Sequence, residues 1–360
     1  MELLVFTLAL FVAAILVPVW HRLAGRGTTA FAVVAPLLAF GWLASRIGAV
    51  ADGRFDEVRL EWVAGLGVNW SMRLDGLALL FGLVVTGIGV LILVYSGGYF
   101  KGKPELPRML SYLLFFMGSM FGVVLSDDLI LMFIFWELTS ISSYLLIGFN
   151  HESGVSRRNA LQALLVTGLG GLALLAGILL VGSAAGTYEA SRLPSASAAI
   201  VDSPLFPLAL ACILLGAFTK SAQVPFHFWL PNAMAAPTPV SAFLHSATMV
   251  KAGVFLMARL NPALDSVPAW TLSLFGFGAA TMLVGGVLGL LQTDLKRILA
   301  YTTLSVLGML TMLIGVGSVL ALQSAIFFLL GHALYKAALF LVAGLVDMRT
   351  KTRDIRELGG

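Results

Sequence analysis

Seven ionisable side chains lie in or beside apolar runs where charge is expensive. Glu137 sits in DDLILMFIFWELTSISSYLLIGF, nine residues past Asp128, and Lys220 closes FPLALACILLGAFTK. His245 and Lys251 belong to SAFLHSATMVKAGVFLMARL, and His332 and Lys336 to AIFFLLGHALYKAALFLVAG. Lys296 lies in QTDLKRILAY beside Asp294 and Arg297. At a helical rise of about 1.5 Å per residue, Glu137 is about 14 Å past Asp128, close to the middle of a hydrocarbon core about 30 Å thick. A carboxylate there costs several kcal/mol unless it is paired or protonated. Carboxyl, amine and imidazole groups at that depth bind and release protons, which requires no covalent chemistry.

The spacing adds detail. His332 and Lys336 are four residues apart, so they share a helix face and could pass a proton directly or through one water. Thr248 and Lys251 stack in the same way, whereas His245 and Lys251, six apart, do not share a face of an ideal helix. Lys220 is the natural partner for Glu137. Each group also has a plainer reading. Glu137 could lock two helices in a structural ion pair, Lys220 could snorkel to the interface, and a lone histidine is often a packed polar residue. Lys296 reads equally well as a helix end at the cytoplasmic surface and as part of the same series.

The elements that position these groups follow from composition. The 360 residues are 59% hydrophobic and 11% charged, with a mean hydropathy of +0.97. Soluble domains carry about a quarter charged residues, so this chain needs lipid as its solvent. Runs of about 20 apolar residues predict eleven spans, near 2–20, 29–45, 76–96, 109–126, 128–148, 160–183, 205–221, 240–260, 270–292, 297–316 and 318–346. The first has no basic leader or small-residue cleavage site and reads as a retained helix. The fold class is thus all-α, a polytopic transmembrane helix bundle.

Basic residues collect in the odd-numbered loops: Arg22/Arg26, Lys101/Lys103/Arg108, Arg157/Arg158, Lys296/Arg297 and Arg349/Lys351/Arg353. The even loops are acidic or mixed, which places the N-terminus outside and the odd loops in the cytoplasm. The net charge of +4 and pI near 9.3 come from these clusters, with no basic stripe suited to nucleic acid. Four of the thirteen prolines fall in PFHFWLPNAMAAPTP, Pro225 to Pro239. A continuous helix cannot run through them, and a break at membrane depth survives only if it faces protein or water. Discontinuous helices of this kind are where transporters build ion sites. The lone Cys212 excludes an internal disulfide, no zinc-spaced cluster or Walker loop is present, and GLGG at 168–171 reads as a close helix contact.

WELTSISSYLLIGF, FTKSAQVPFHFWLPNAMAAPTPVSAFLHSATMVKAG, QTDLKRILAYTTLS and GHALYKAALFLVAG resemble the proton-translocating antiporter-like subunits of respiratory complex I and their relatives. The resemblance runs from about Asp75 to the C-terminus. Within that superfamily HSATMVKAG and MRTKTRDIRELGG are most similar to the A subunits of the multisubunit Mrp-type cation/proton antiporters. The resemblance implies that Glu137 and Lys220 form the coupled pair of the fifth and the broken seventh helix. His245 and Lys251 fall at the bridging positions of the eighth helix, and His332 and Lys336 at the ionisable positions of the eleventh. It also implies inverted five-helix repeats: N-terminal helices over 1–108, a first repeat over 109–260 with the break near 221–239, and an incomplete second repeat over 261–360.

The function expected is that of a non-enzymatic subunit of a cation/proton antiporter, with Na⁺/H⁺ exchange implied. It would lie multi-pass in the cell inner membrane beside other membrane subunits, without a cofactor. The alternatives are a proton-pumping subunit of an NADH:quinone oxidoreductase or related redox-driven complex, and a scaffold whose ionic residues are structural.

Overall fold

The computed structural model describes residues 1–359; Gly360 lies outside the described residues. Two helices, α1 (Glu2–Ala24) and α2 (Thr28–Ala51), precede an antiparallel hairpin of β1 (Asp56–Val63) and β2 (Val68–Leu74). Then come α3 (Gly76–Tyr99), α4 (Leu106–Leu125), α5 (Leu129–Ile147), α6 (Gly154–Ala185), the short α7 (Ser197–Val201) and α8 (Phe206–Lys220). A broken stretch, in which 3-10 turns over Phe226–Phe228 and Ala233–Ala235 flank the one-turn α9 (Trp229–Asn232), leads to α10 (Thr238–Ser246) and α11 (Ala252–Leu264). The chain closes with α12 (Pro268–Leu290), α13 (Leu295–Val316) and α14 (Val319–Thr350). Ten helical segments, with α10 and α11 counted as one, are long and apolar enough to cross a membrane, and α8 is a shorter apolar helix of 15 residues. Together these are the eleven expected spans.

Local chemistry sets the boundaries. Asp75 caps α3 by accepting from Ala78 N at 3.0 Å, and Asp128 caps α5 by accepting from Ile130 N and Leu131 N at 2.8 and 3.1 Å. These bonds satisfy amides that have no partner within the helix. Gly317 ends α13 with φ +69°, a conformation that costs glycine little. In α12 and α13, Gly278 and Gly308 face each other so closely that a methyl on either would overlap the other helix's backbone. Such contacts drive association where lipid removes the hydrophobic incentive.

Two features depart from the expected helices. The 46–75 stretch, assigned no element from sequence, contains the hairpin, whose register pairs Asp56 with Leu74 and Val58 with Met72. Its signal is the period-two alternation of Glu57-Val58-Arg59-Leu60-Glu61-Trp62. The eighth span is not continuous: Ala247 and Thr248 (φ −130°, ψ −98°) leave helical geometry, and a 3-10 turn over Met249–Lys251 separates α10 from α11. Thr248 therefore does not stack on Lys251 as an unbroken helix would have it. Its hydroxyl instead donates to Phe243 O at 2.7 Å.

Both interruptions are satisfied from within the protein. Trp229 Nε1 donates to Thr219 O (3.0 Å), Val224 N to Thr281 Oγ1 (2.9 Å) and Asn159 Nδ2 to Asn232 O (2.9 Å). Ser221 Oγ joins the two breaks, donating to Val250 O at 2.7 Å and accepting from Val254 N at 3.1 Å. At membrane depth each such group would otherwise cost several kcal/mol.

Candidate functional site

The ionisable residues singled out from sequence lie on the inner faces of α5, α8, α10, α13 and α14 and in the turn before α11. Lys220, His245, Lys251 and His332 are fully buried, and Lys296 and Lys336 are each 2% exposed. Neither Lys220 nor Lys296 is exposed at the protein surface, although Lys296 stands on the first turn of α13, two residues after its cap Asp294.

The four lysines share a pattern of contacts. Lys220 Nζ donates to Trp136 O (3.0 Å) and Ser140 Oγ (2.8 Å), and lies 5.1 Å from the centre of the Trp136 ring. Lys251 Nζ donates to Leu329 O (3.3 Å), Lys296 Nζ to Ala236 O (2.9 Å), and Lys336 Nζ to Leu299 O (3.2 Å) and Thr302 Oγ1. Every ammonium rests on a neutral carbonyl. An amine held in this way can give up its proton without leaving an unpaired anion behind.

Glu137 is the one acid of the series. Lys220 is docked on its helical turn, on the residue before it and the residue three after it, but the two charged groups make no direct bond. Glu137 Oε1 is buried without a hydrogen-bond partner. The carboxylate instead abuts the backbone of α6 at Gly171, where a methyl would overlap Oε1. One turn of sequence therefore carries a carboxylate with an unanswered oxygen and the seat of a buried amine.

The histidines are also unanswered. Both ring nitrogens of His245 and of His332 are buried without a partner, as are Thr238 Oγ1, Ser241 Oγ and Gln223 Oε1. Thr238, Ser241 and His245 lie at i, i+3 and i+7, one face of α10. Most buried polar atoms in folded proteins are hydrogen-bonded to protein or water, so a file of unanswered ones is a place for water. Lys251 reaches α14 one turn before His332. Lys336 turns the other way, onto α13, so the structure does not join His332 directly to Lys336 although they share a helix face. Among the described residues no group of three or more His, Cys, Asp or Glu is placed to hold a metal ion.

Sequence reasoning missed Trp136 and Ser140 as the seat of Lys220, Thr302 as a partner of Lys336, and Gly171 as the neighbour of Glu137. Ser140 was legible as a hydroxyl one turn from Glu137. Gly171 lay in the GLGG run read as packing, and nothing local marks which of its glycines meets the carboxylate.

Comparison with known proteins bears on what these residues serve. A family model described as NADH:quinone oxidoreductase/Mrp antiporter, TM, matches residues 126–360. A second, described as NADH-Ubiquinone oxidoreductase (complex I), chain 5 N-terminus, matches residues 61–109. The chain is 48% identical over 330 residues to a probable K(+)/H(+) antiporter A/B subunit of Rhizobium meliloti, covering 92% of this chain and 33% of that protein. It is 45% identical over 370 residues to the Na(+)/H(+) antiporter A subunit of Alkalihalophilus pseudofirmus, covering 98% and 46%. In the solved Mrp complex from Dietzia sp. DQ12-45-1b, one chain matches with a TM-score of 0.89 at 37% identity, over 98% of this chain and 38% of that one. A chain of an archaeal membrane-bound sulfane sulfur reductase shares the fold, with a TM-score of 0.89 at 23% identity over 100% of this chain and 74% of that one. This chain spans between a third and a half of the length of these two curated relatives.

Proposed function

We propose, proceeding from the fact that this chain belongs to the NADH:quinone oxidoreductase/Mrp antiporter transmembrane family, that it forms the proton-handling core of a multisubunit cation/proton antiporter. The observation that carries the reading is the buried series of Glu137, Lys220, His245, Lys251, Lys296, His332 and Lys336. Its amines sit on carbonyls, while its carboxylate and imidazoles have unpartnered atoms. Intramembrane ionisable residues of this kind mark proton relays.

In this mechanism water reaches His245 along the Thr238–Ser241 face of α10. Glu137 takes up a proton on its free oxygen. Neutralising it removes the negative charge beside Lys220, so that the amine gives up its proton more readily to the hydrated file leading to His245. Lys251 then hands charge across to α14 at His332, and, since His332 and Lys336 are not in direct contact, water carries it on to Lys336 and α13. No covalent step occurs, and the chain works in secondary transport rather than as an enzyme. The exchanged ion is Na⁺ or K⁺, as in the names of the relatives, and the partners are further membrane subunits. The chain lies multi-pass in the cell inner membrane with its N-terminus on the outer side, and residues 109–260 form the repeat that houses the Glu137–Lys220 pair.

Everted vesicles containing the complete complex provide the test. A pH-sensitive dye is followed after Na⁺ or K⁺ is added against an imposed proton gradient, with respiration blocked. The cation should collapse the gradient in wild type and not in Glu137→Gln or Lys220→Ala. The match of residues 61–109 to a complex I chain favours a second reading, a proton-pumping subunit of a redox-driven complex. That reading replaces the first if wild-type vesicles show no cation response and the complex co-purifies with quinone reductase activity.

A further inference from the structure

Away from the relay, three helix ends on the membrane face opposite the hairpin enclose a cavity of about 250 Å³. It lies between the start of α4, the end of α5 and the start of α6, and is lined by Arg108, Tyr112, Tyr144, Phe149, His151 and Arg157. Arg108 stacks its guanidinium 4.4 Å from the centre of the Phe149 ring and donates weakly to Phe149 O at 3.4 Å. Its Nε is buried without an acceptor. Arg157 donates only to the carbonyls of His151 and Glu152. Among the described residues neither arginine takes part in an ion pair.

Two guanidinium groups and an imidazole thus converge on one small cavity with no carboxylate paired to them. A guanidinium fork matches a phosphate's oxygens, and neither fork here is taken up by a carboxylate. The position selects the form of phosphate. Tyr112 and Tyr144 are aromatics at the ends of spans, where such rings mark the membrane interface. Leu145, 36% exposed, lines the same cavity and opens it to an apolar side, as an acyl chain would require. Lys101 and Lys103 add positive charge to this face.

We infer that this cavity binds the phosphate of an anionic phospholipid, with Arg108 and Arg157 gripping the headgroup and Tyr112 and Tyr144 flanking it. The site lies outside the relay and does not depend on the antiport reading.

The experiment uses the complete complex in nanodiscs of phosphatidylethanolamine doped with phosphatidylglycerol, with retained lipid counted by native mass spectrometry. Wild type should retain one phosphatidylglycerol more than Arg108→Ala/Arg157→Ala. Each arginine removed should weaken retention about fivefold, the effect of losing one hydrogen bond to the phosphate. Arg158→Ala removes the same charge next door without lining the cavity and should behave as wild type. Equal retention in wild type and the double variant, or equal loss in Arg158→Ala, would overturn the inference. Displacement of the lipid by excess inorganic phosphate would overturn it too, by making the ligand a free anion. If the double variant fails to assemble, Arg157→Gln is read in its place against the same control, with the rise in melting temperature on adding phosphatidylglycerol as a second measure. A rise equal to that of wild type would count against the site.

Discussion

Glu189, beside the hairpin, and Glu137, within the helix bundle, differ in what answers their charge. Glu189 is held between Arg59 Nε at 2.8 Å and Arg192 Nε at 2.7 Å, with its side chain 5% exposed. Around it Asp127 accepts from Ser191 N at 2.9 Å and Ser191 Oγ at 2.6 Å, and Asp128 Oδ2 accepts from Asn69 N at 3.0 Å. Every acid there has a partner, and the cluster ties the hairpin to the loops before α5 and after α6. Glu137 has an oxygen with no partner and a buried amine on its own helical turn. Two ion pairs make the Glu189 carboxylate part of the fold, whereas a carboxylate left unanswered in a low-dielectric site is open to a proton.

The sharpest way to break this comparison is to neutralise both acids. Glu137→Gln should abolish dye-detected antiport by the complete complex at unchanged membrane abundance. Glu189→Gln should leave antiport near wild type and cost about 2 kcal/mol of stability, the range for hydrogen bonds to charged groups. The reverse pattern would assign the proton chemistry to the hairpin face.

Gly171 gives the next largest effect. A methyl there must displace the Glu137 carboxylate, because the atom it overlaps is the end of a flexible side chain. Gly171→Ala should reduce antiport on the order of a hundredfold, the cost of misplacing a reacting group by about 1 Å. Glu137→Asp in the Gly171→Ala background withdraws the carboxyl from the methyl and should lose less than the two single effects combined. Gly168→Ala, with open space around it, should be silent. If Gly168→Ala and Gly171→Ala are equally impaired, the defect is packing of α6 and not placement of the acid.

Ser140→Ala removes one of the two oxygens that hold the Lys220 ammonium and should cost about 1.5–3 kcal/mol of that contact. Measured as antiport rate against pH, it should shift the profile. Thr311→Ala, which removes an equally buried hydroxyl bonded within its own helix to Leu307 O, should not.

The smallest effect belongs to Asp75, which pairs with Arg259 through both guanidinium ends on the hairpin face. Burial pushes the Asp75 carboxyl up, but the hydrogen bonds and charge of Arg259 outweigh it and hold the carboxyl below its ordinary value. The stabilisation is therefore fully present above the ordinary aspartate value of about 4. It is lost as pH falls through the lowered one. Wild type should melt higher than Asp75→Asn at neutral pH, and the gap should close only below about pH 4. A gap that closes between pH 7 and 5 would show that another group sets it.

The interruption at Ala247–Lys251 marks where local reading fails. The first break announces itself through four prolines, but HSATMVK contains neither proline nor glycine. There Ser221, on another element, takes the place of one backbone bond, donating to Val250 O and accepting from Val254 N. The hairpin was the opposite case: its alternation is present in the residues, but the ruler of 20-residue apolar runs does not register a strand.

By itself the sequence determined that the chain is a bundle of membrane-crossing helices, roughly where each begins, and which few side chains are charged at depth. Those properties depend on hydropathy and caps within about 20 neighbouring residues. Only the tertiary structure decided what each charge meets. Lys220 and its carbonyl are 84 residues apart, Lys251 and its carbonyl 78, and Lys296 and its carbonyl 60. Partner choice at such separations is fixed by how whole helices pack, so a lysine drawn toward a glutamate by charge alone settles instead on the carbonyl beside it.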